Sequence, residues 1–304
     1  MYKRQGLTRV VFISFLLLIP VGVHHQFTDP GIPFTSKTIM WILTVCIFMP
    51  SVATAFTIIA GLEDGGRKAG GKGLLGWVWK LPWGNPAVSG QLLAGLVFML
   101  GGASGFINAS YTVNLQVHNT AFIPGHFHLT VGTGVALSIM AISYWLVPYF
   151  TGKQLFARGL AVFQTFLWVG GVLTFSRGQM SGGTNGMPRR TQISDASYLD
   201  NHGWEWANIL TGIGGTIMVI SSLLFFIVII GTIYSRRLVT ETQRIPVVDV
   251  AHGPRRSWVF VGKRWWWVGR SFALVRLVYG VVVWDSLPIR GGSETGDSLW
   301  ERVG

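Results

Sequence analysis

LPWGNPAVSGQLLAGLVFMLGGASGFINASYTVNLQVHNTAFIPGHFHLTVGTGVALSIMAISYWLVPYFTG, residues 81–152, contains no Asp, Glu, Lys or Arg. A membrane-spanning helix needs roughly 20 mostly apolar residues, so this stretch has room for two. Residues 38–62 and 206–235 are equally free of charge. Inside a bilayer the backbone must satisfy its own hydrogen bonds, which makes such segments helices. The expected fold class is therefore all-α, a polytopic transmembrane helix bundle.

Working outward, six segments read clearly as spans: 7–25, 37–62, 88–110, 121–149, 158–177 and 205–235. A seventh candidate, 265–284, is interrupted by Arg270 and Arg276. Short connections predict an up-and-down bundle. Gly contributes 40 residues, and small residues let helices approach closely in lipid. No internal repeat points to an inverted-repeat transporter. Two parts are expected: a transmembrane domain over 1–245, and a divergent tail over 246–304 that carries the seventh segment.

Composition agrees. Half of the residues are hydrophobic and only 12% are charged, against about a quarter charged in soluble domains. The net charge of +12 does not indicate nucleic acid, because the cations sit between hydrophobic segments instead of forming one patch. Cys46 is the single cysteine; it excludes a disulfide framework and a thiolate cluster, and reads as a packed small hydrophobe. The N-terminal Lys3, Arg4 and Arg9 precede an apolar run as in a signal peptide, but no small-x-small cleavage site follows. That run is expected to stay as a helix.

Charge also orients the bundle. With the N-terminus inside, Lys3, Arg4, Arg9, Arg67, Lys68, Lys72, Lys80, Lys153, Arg158, Arg236, Arg237, Arg244, Arg255, Arg256, Lys263 and Arg264 all face the cytoplasm, whereas Lys37, Arg177, Arg189, Arg190, Arg290 and Arg302 face outward. The positive-inside rule favours this arrangement. It brings His24, His25, His118, His126, His128, Arg189 and Arg190 to the outer side at similar depth.

Ionisable groups at membrane depth are costly and usually functional. Adjacent His24-His25 suit copper, which accepts imidazole, though the dipeptide alone is a weak signal. His126 and His128, two apart on a helix, point about 200° apart. They are placed for two cofactors on opposite flanks, such as two heme irons, or else are packing histidines. Arg189-Arg190 match the carboxylates of heme propionates, or form a solvated loop pair. Ser51, Thr54 and Thr57 recur every three residues on the second segment. They either relay protons through a hydroxyl stripe or bond back to their own backbone.

The motifs Pro20-Val21-Gly22-Val23-His24-His25-Gln26-Phe27, His118-Asn119-Thr120-Ala121-Phe122, Pro124-Gly125-His126-Phe127-His128 and Pro188-Arg189-Arg190 resemble the catalytic subunit of heme-copper oxidases. The B-family, the ba-type cytochrome c oxidases of bacteria and archaea, is the most similar, colinearly from about residue 10 to 235. The resemblance implies that His24 and His25 bind the active-site copper, His126 an a-type high-spin heme, and His128 a b-type low-spin heme. It implies that His118, Arg189 and Arg190 meet propionates, and that Ser51, Thr54 and Thr57 line a proton-uptake path.

It further implies a terminal respiratory oxygen reductase, multi-pass in the cell membrane. Its electrons would come from cytochrome c or a small copper protein through a dicopper-centre subunit II, and it would reduce dioxygen to water with transmembrane proton translocation. The chain aligns from the family's seventh helix onward, so the C-terminal half is expected, inactive alone. The third copper histidine, its linked tyrosine and the opposite low-spin heme ligand belong to the family's N-terminal half, which is a partner if the subunit is split; a partial gene and a frameshifted fragment are the other readings. Asn114 departs from the family's aspartate near a propionate; an amide cannot take up a proton. A nitric oxide reductase-like relative and a membrane transporter using its histidines for ions are the alternatives.

Overall fold

The computed structural model describes residues 2–18, 26–190, 204–239, 269–270 and 273. His24 and His25 lie outside the described residues, as does most of the seventh candidate segment. The chain divides into two units, Met1–Arg244 and Ile245–Gly304, and the helices below belong to the first.

That unit is helical: α1 (Tyr2–Leu18), α2 (Phe34–Lys68), α3 (Pro86–Asn108), α4 (Tyr111–Val117), α5 (Phe122–Leu129), α6 (Ala136–Thr151), α7 (Arg158–Thr184) and α8 (Trp204–Tyr234). A π-helical turn, Thr130–Val135, joins α5 to α6, so that Phe122–Thr151 runs as one span. Among the described residues, five helices are long and apolar enough to cross a membrane. They correspond to five of the six expected segments. For the first, α1 reaches Leu18, and residues 19–25 lie outside the described residues.

Local chemistry sets the ends. The Asn85 side chain accepts the Ala87 N–H at 3.0 Å, and Pro86 occupies the first helical position of α3, where its missing N–H costs nothing. Gly152, at φ 64°, ends α6 in the left-handed conformation that glycine adopts without strain. The connections follow an up-and-down course. At one end, Lys153 bridges to Leu238 and Arg158 Nε donates to the Gly84 carbonyl at 3.0 Å. At the other, Thr120 bridges to Pro188 and Trp204 Nε1 donates to the Asn185 carbonyl at 2.8 Å.

The core between α3, α5, α6 and α7 is built from Leu93, Ala94, Val97, Leu129, Leu137, Trp168 and Val172. Glycines bring α7 against its neighbours. A Cβ on Gly178 would lie 2.6 Å from the Ala207 carbonyl of α8, and one on Gly214 2.3 Å from the Phe175 nitrogen of α7. In lipid such packing replaces the hydrophobic drive available in water. A buried polar clasp adds to it: Tyr144 OH donates to Gln164 Oε1 at 2.8 Å, and Gln164 Nε2 donates to Ser221 Oγ at 2.9 Å.

The packed environment expected for Cys46 is not observed; the residue is exposed on α2. The outward sides of α2 and α8 carry Phe56, Ile58, Leu223 and Phe226, all more than half exposed. Hydropathy alone does not separate a lipid-facing side chain from a core one, because both are apolar.

Candidate functional site

Helix α5 is short because the chain widens immediately after it. In the π-helical turn the Thr133 hydroxyl donates to the His128 carbonyl at 3.2 Å, and the Trp168 indole donates to the Gly132 carbonyl at 3.0 Å. Side chains thus take carbonyls that a regular α-helix would bond internally. Such π turns are uncommon and concentrate at functional sites. The sequence signal for it, in retrospect, is Thr130-Val131-Gly132-Thr133-Gly134, where two glycines relax the helix directly after the histidines.

His126 is 6% exposed. Its Nδ1 lies 3.1 Å from the Gly101 carbonyl and 2.9 Å from Ser104 Oγ, both on α3. A carbonyl oxygen only accepts, so Nδ1 carries the proton, and in the neutral ring the lone pair resides on Nε2. Gly105, also on α3, leaves room for this ring: a Cβ there would stand 2.8 Å from His126 Cε1. His128 turns the other way. Its ring centroid is 4.2 Å from that of Phe175 on α7, and its Nδ1 donates to the Pro124 carbonyl at 2.7 Å. The two imidazoles therefore face α3 and α7 respectively, each in the tautomer whose Nε2 carries the lone pair that a metal binds. A metal-bound histidine usually donates its second N–H to a carbonyl in this way.

His118, Arg189 and Arg190, expected on one side, lie at one end of the bundle. His118, largely buried, places Nε2 2.9 Å from Asp29 Oδ1. Arg189 donates from its backbone to the Asn119 carbonyl at 3.0 Å, and from Nη2 to Asn119 Oδ1 at 2.8 Å. Arg190 is exposed at φ 60°. The left-handed region costs a residue with a Cβ roughly 1–2 kcal/mol, and such strain concentrates at functional sites. Asn114 is fully buried; Nδ2 donates to the Asn108 carbonyl at 2.8 Å, and Oδ1 lacks a partner among the described residues. Thr28 Oγ1 is buried and unpartnered among them as well. Asp29 was not legible as a member of this group, since only the fold brings it to His118.

The hydroxyl stripe lies on α2, where each hydroxyl bonds its own backbone. Ser51, Thr54 and Thr57 donate to the carbonyls of Ile47, Pro50 and Ala53 at 2.9, 2.8 and 2.8 Å. Each oxygen keeps lone pairs for a water, but relaying a proton requires the hydroxyl to rotate off its carbonyl.

Among the described residues, no group of three or more His, Cys, Asp or Glu could hold a metal ion. Heme makes no such demand: the porphyrin supplies four nitrogens, so a single imidazole from this chain would be enough to contribute a ligand. Two imidazoles on opposite flanks of α5, a glycine beside one ring and guanidiniums at the outer end fit that group. The residues expected to hold copper lie outside the described region. A cavity of about 190 Å³, lined by Asn85, Tyr144, Trp145 and Arg158 among others, lies at the opposite end of the bundle from His118 and Arg189.

Residues 4–217 match the family described as Cytochrome C and Quinol oxidase polypeptide I. Cytochrome c oxidase subunit 1 of Thermus thermophilus is 39% identical over 281 residues, covering 90% of this chain and 50% of that protein. The probable quinol oxidase subunit 1 of Staphylococcus haemolyticus is 28% identical over 230 residues, covering 74% of this chain and 30% of that protein. Among solved structures, a heme-copper terminal oxidase dimer aligns with a TM-score of 0.75 at 34% identity, covering 90% of this chain and 49% of that one. The chain thus spans about half the length of the first relative it matches.

Proposed function

This chain belongs to the cytochrome c and quinol oxidase polypeptide I family, and from that membership we propose that it forms part of the catalytic subunit of a membrane-bound respiratory oxygen reductase. The observation that carries the reading is the pair of imidazoles, His126 and His128, aimed at α3 and α7 with their Nδ1 protons on the carbonyls of Gly101 and Pro124.

In this reading His126 holds an a-type high-spin heme and His128 a b-type low-spin heme, while His24 and His25 contribute to a copper site. When bound, these cofactors supply the electron transfer and the reduction of dioxygen to water. The chain's own residues bind and orient them. The Gly101 and Pro124 carbonyls fix the tautomers, and Phe175 lies against the His128 ring. Arg189, braced by Asn119, and Arg190 offer guanidiniums to propionates. Asn114 offers Oδ1 as an acceptor but takes up no proton, whereas His118 Nε2 lies 2.9 Å from the Asp29 carboxylate. Ser51, Thr54 and Thr57 hold water along α2 on the cytoplasmic approach. Electrons arrive through a dicopper-centre subunit from cytochrome c or a small copper protein.

The experiment is a dithionite-reduced spectrum of the assembled complex purified from native membranes, paired with oxygen uptake. Two heme signals, one shifted by carbon monoxide, together with cyanide-sensitive oxygen uptake, are expected. A preparation containing this chain with no heme bands would leave a histidine-bearing transporter as the better reading.

A further inference from the structure

On the reading that His126 ligates a heme iron, we propose that Ser104 is a positioning residue that sets the donor strength of that histidine. Ser104 is 4% exposed on α3. Its hydroxyl donates to the Gly101 carbonyl at 2.7 Å, and its oxygen lies 2.9 Å from His126 Nδ1. That hydroxyl has a single proton, which the carbonyl takes, so towards the imidazole its oxygen can only accept. The Nδ1–H is thus shared between two acceptors, the Gly101 carbonyl at 3.1 Å and the Ser104 oxygen. The Gly101 carbonyl in turn is shared between the hydroxyl and the imidazole.

This closed three-membered arrangement does two things that a lone carbonyl would not. It holds the ring from two acceptors on α3, next to the contact with Gly105. It also spreads negative charge from two oxygens onto the Nδ1–H, which makes Nε2 a stronger ligand. His128 has no counterpart among the described residues, since its Nδ1 meets only the Pro124 carbonyl. The asymmetry makes the two imidazoles unequal donors although they stand two residues apart on one helix.

The test is resonance Raman spectroscopy of the iron–histidine stretch in the assembled, reduced complex, with wild type, Ser104→Ala and Ser104→Cys. Ser104→Ala removes one acceptor and at the same time frees the Gly101 carbonyl of its hydroxyl donor, so the stretch should shift from its wild-type frequency, while the low-spin heme band stays at its wild-type position. Ser104→Cys keeps the volume nearly unchanged but offers a weak acceptor, and should move the band in the same direction. If Ser104→Ala fails to assemble, the Cys variant decides. A stretch unchanged from wild type in the variant that assembles overturns the proposal. A His126→Ala complex that still shows the wild-type stretch would instead refute the ligand assignment on which the proposal rests.

Discussion

Replacing Gly183 by alanine probes the contact that seats the histidine-bearing helix against α7. A Cβ on Gly183 would lie 2.0 Å from the Phe122 nitrogen, 2.7 Å from its Cα and 2.8 Å from its Cβ, whereas ordinary contact begins at 3.4 Å. The obstruction is mainly backbone, so no rotamer change relieves it. Helix α5 must recede from α7 by about 1.4 Å at its first residue, the difference between 2.0 and 3.4 Å. Overpacking of this kind costs typically about 1–3 kcal/mol, and His126 and His128 follow on the same helix. Gly170→Ala is the matched control on α7, because its Cβ would meet nothing within 4 Å and alanine gains up to about 1 kcal/mol in helix propensity. The assay heats the assembled complex and follows loss of the heme absorbance. Gly183→Ala should lose heme at a clearly lower temperature than wild type, and Gly170→Ala at the same temperature or higher. If the two variants melt together, the close packing of α5 on α7 is not what holds the site.

Two further tests concern the buried clasp and the hydroxyl stripe. Tyr144→Phe leaves Gln164 Oε1 without its buried donor; a double-mutant cycle with Ser221→Ala, read by denaturation in detergent, should give a coupling of about 0.6–1.7 kcal/mol, and strict additivity would contradict the clasp. Thr54→Val removes a hydroxyl whose proton serves only its own helix, so stability should change by less than about 0.5 kcal/mol while oxygen turnover falls with intact heme spectra; unchanged turnover would remove the stripe from the proton path.

Much of this arrangement is legible in the sequence because a bilayer leaves few options. Charge-free runs fix the spans, and cation placement fixes which ends share a side. The two-residue spacing of His126 and His128 fixes opposite faces, which the neighbours Ser104 and Phe175 bear out. What escaped the sequence is set by contacts between distant segments. Asp29 reaches His118 across 89 positions, and Ser104 reaches His126 across 22. Neither pairing has a periodicity to betray it. The π-helical turn escaped for a different reason: hydropathy is the same whether a span is wound as α or π. The exposure of Cys46 escaped because lipid and core select the same residue types.

The central claim, that His126 and His128 serve different hemes on opposite flanks of α5, is tested by reduced and carbon monoxide difference spectra of the assembled complex carrying His126→Ala or His128→Ala. His128→Ala should abolish the low-spin band and spare carbon monoxide binding, and His126→Ala should do the reverse. Loss of the same heme in both variants would contradict it.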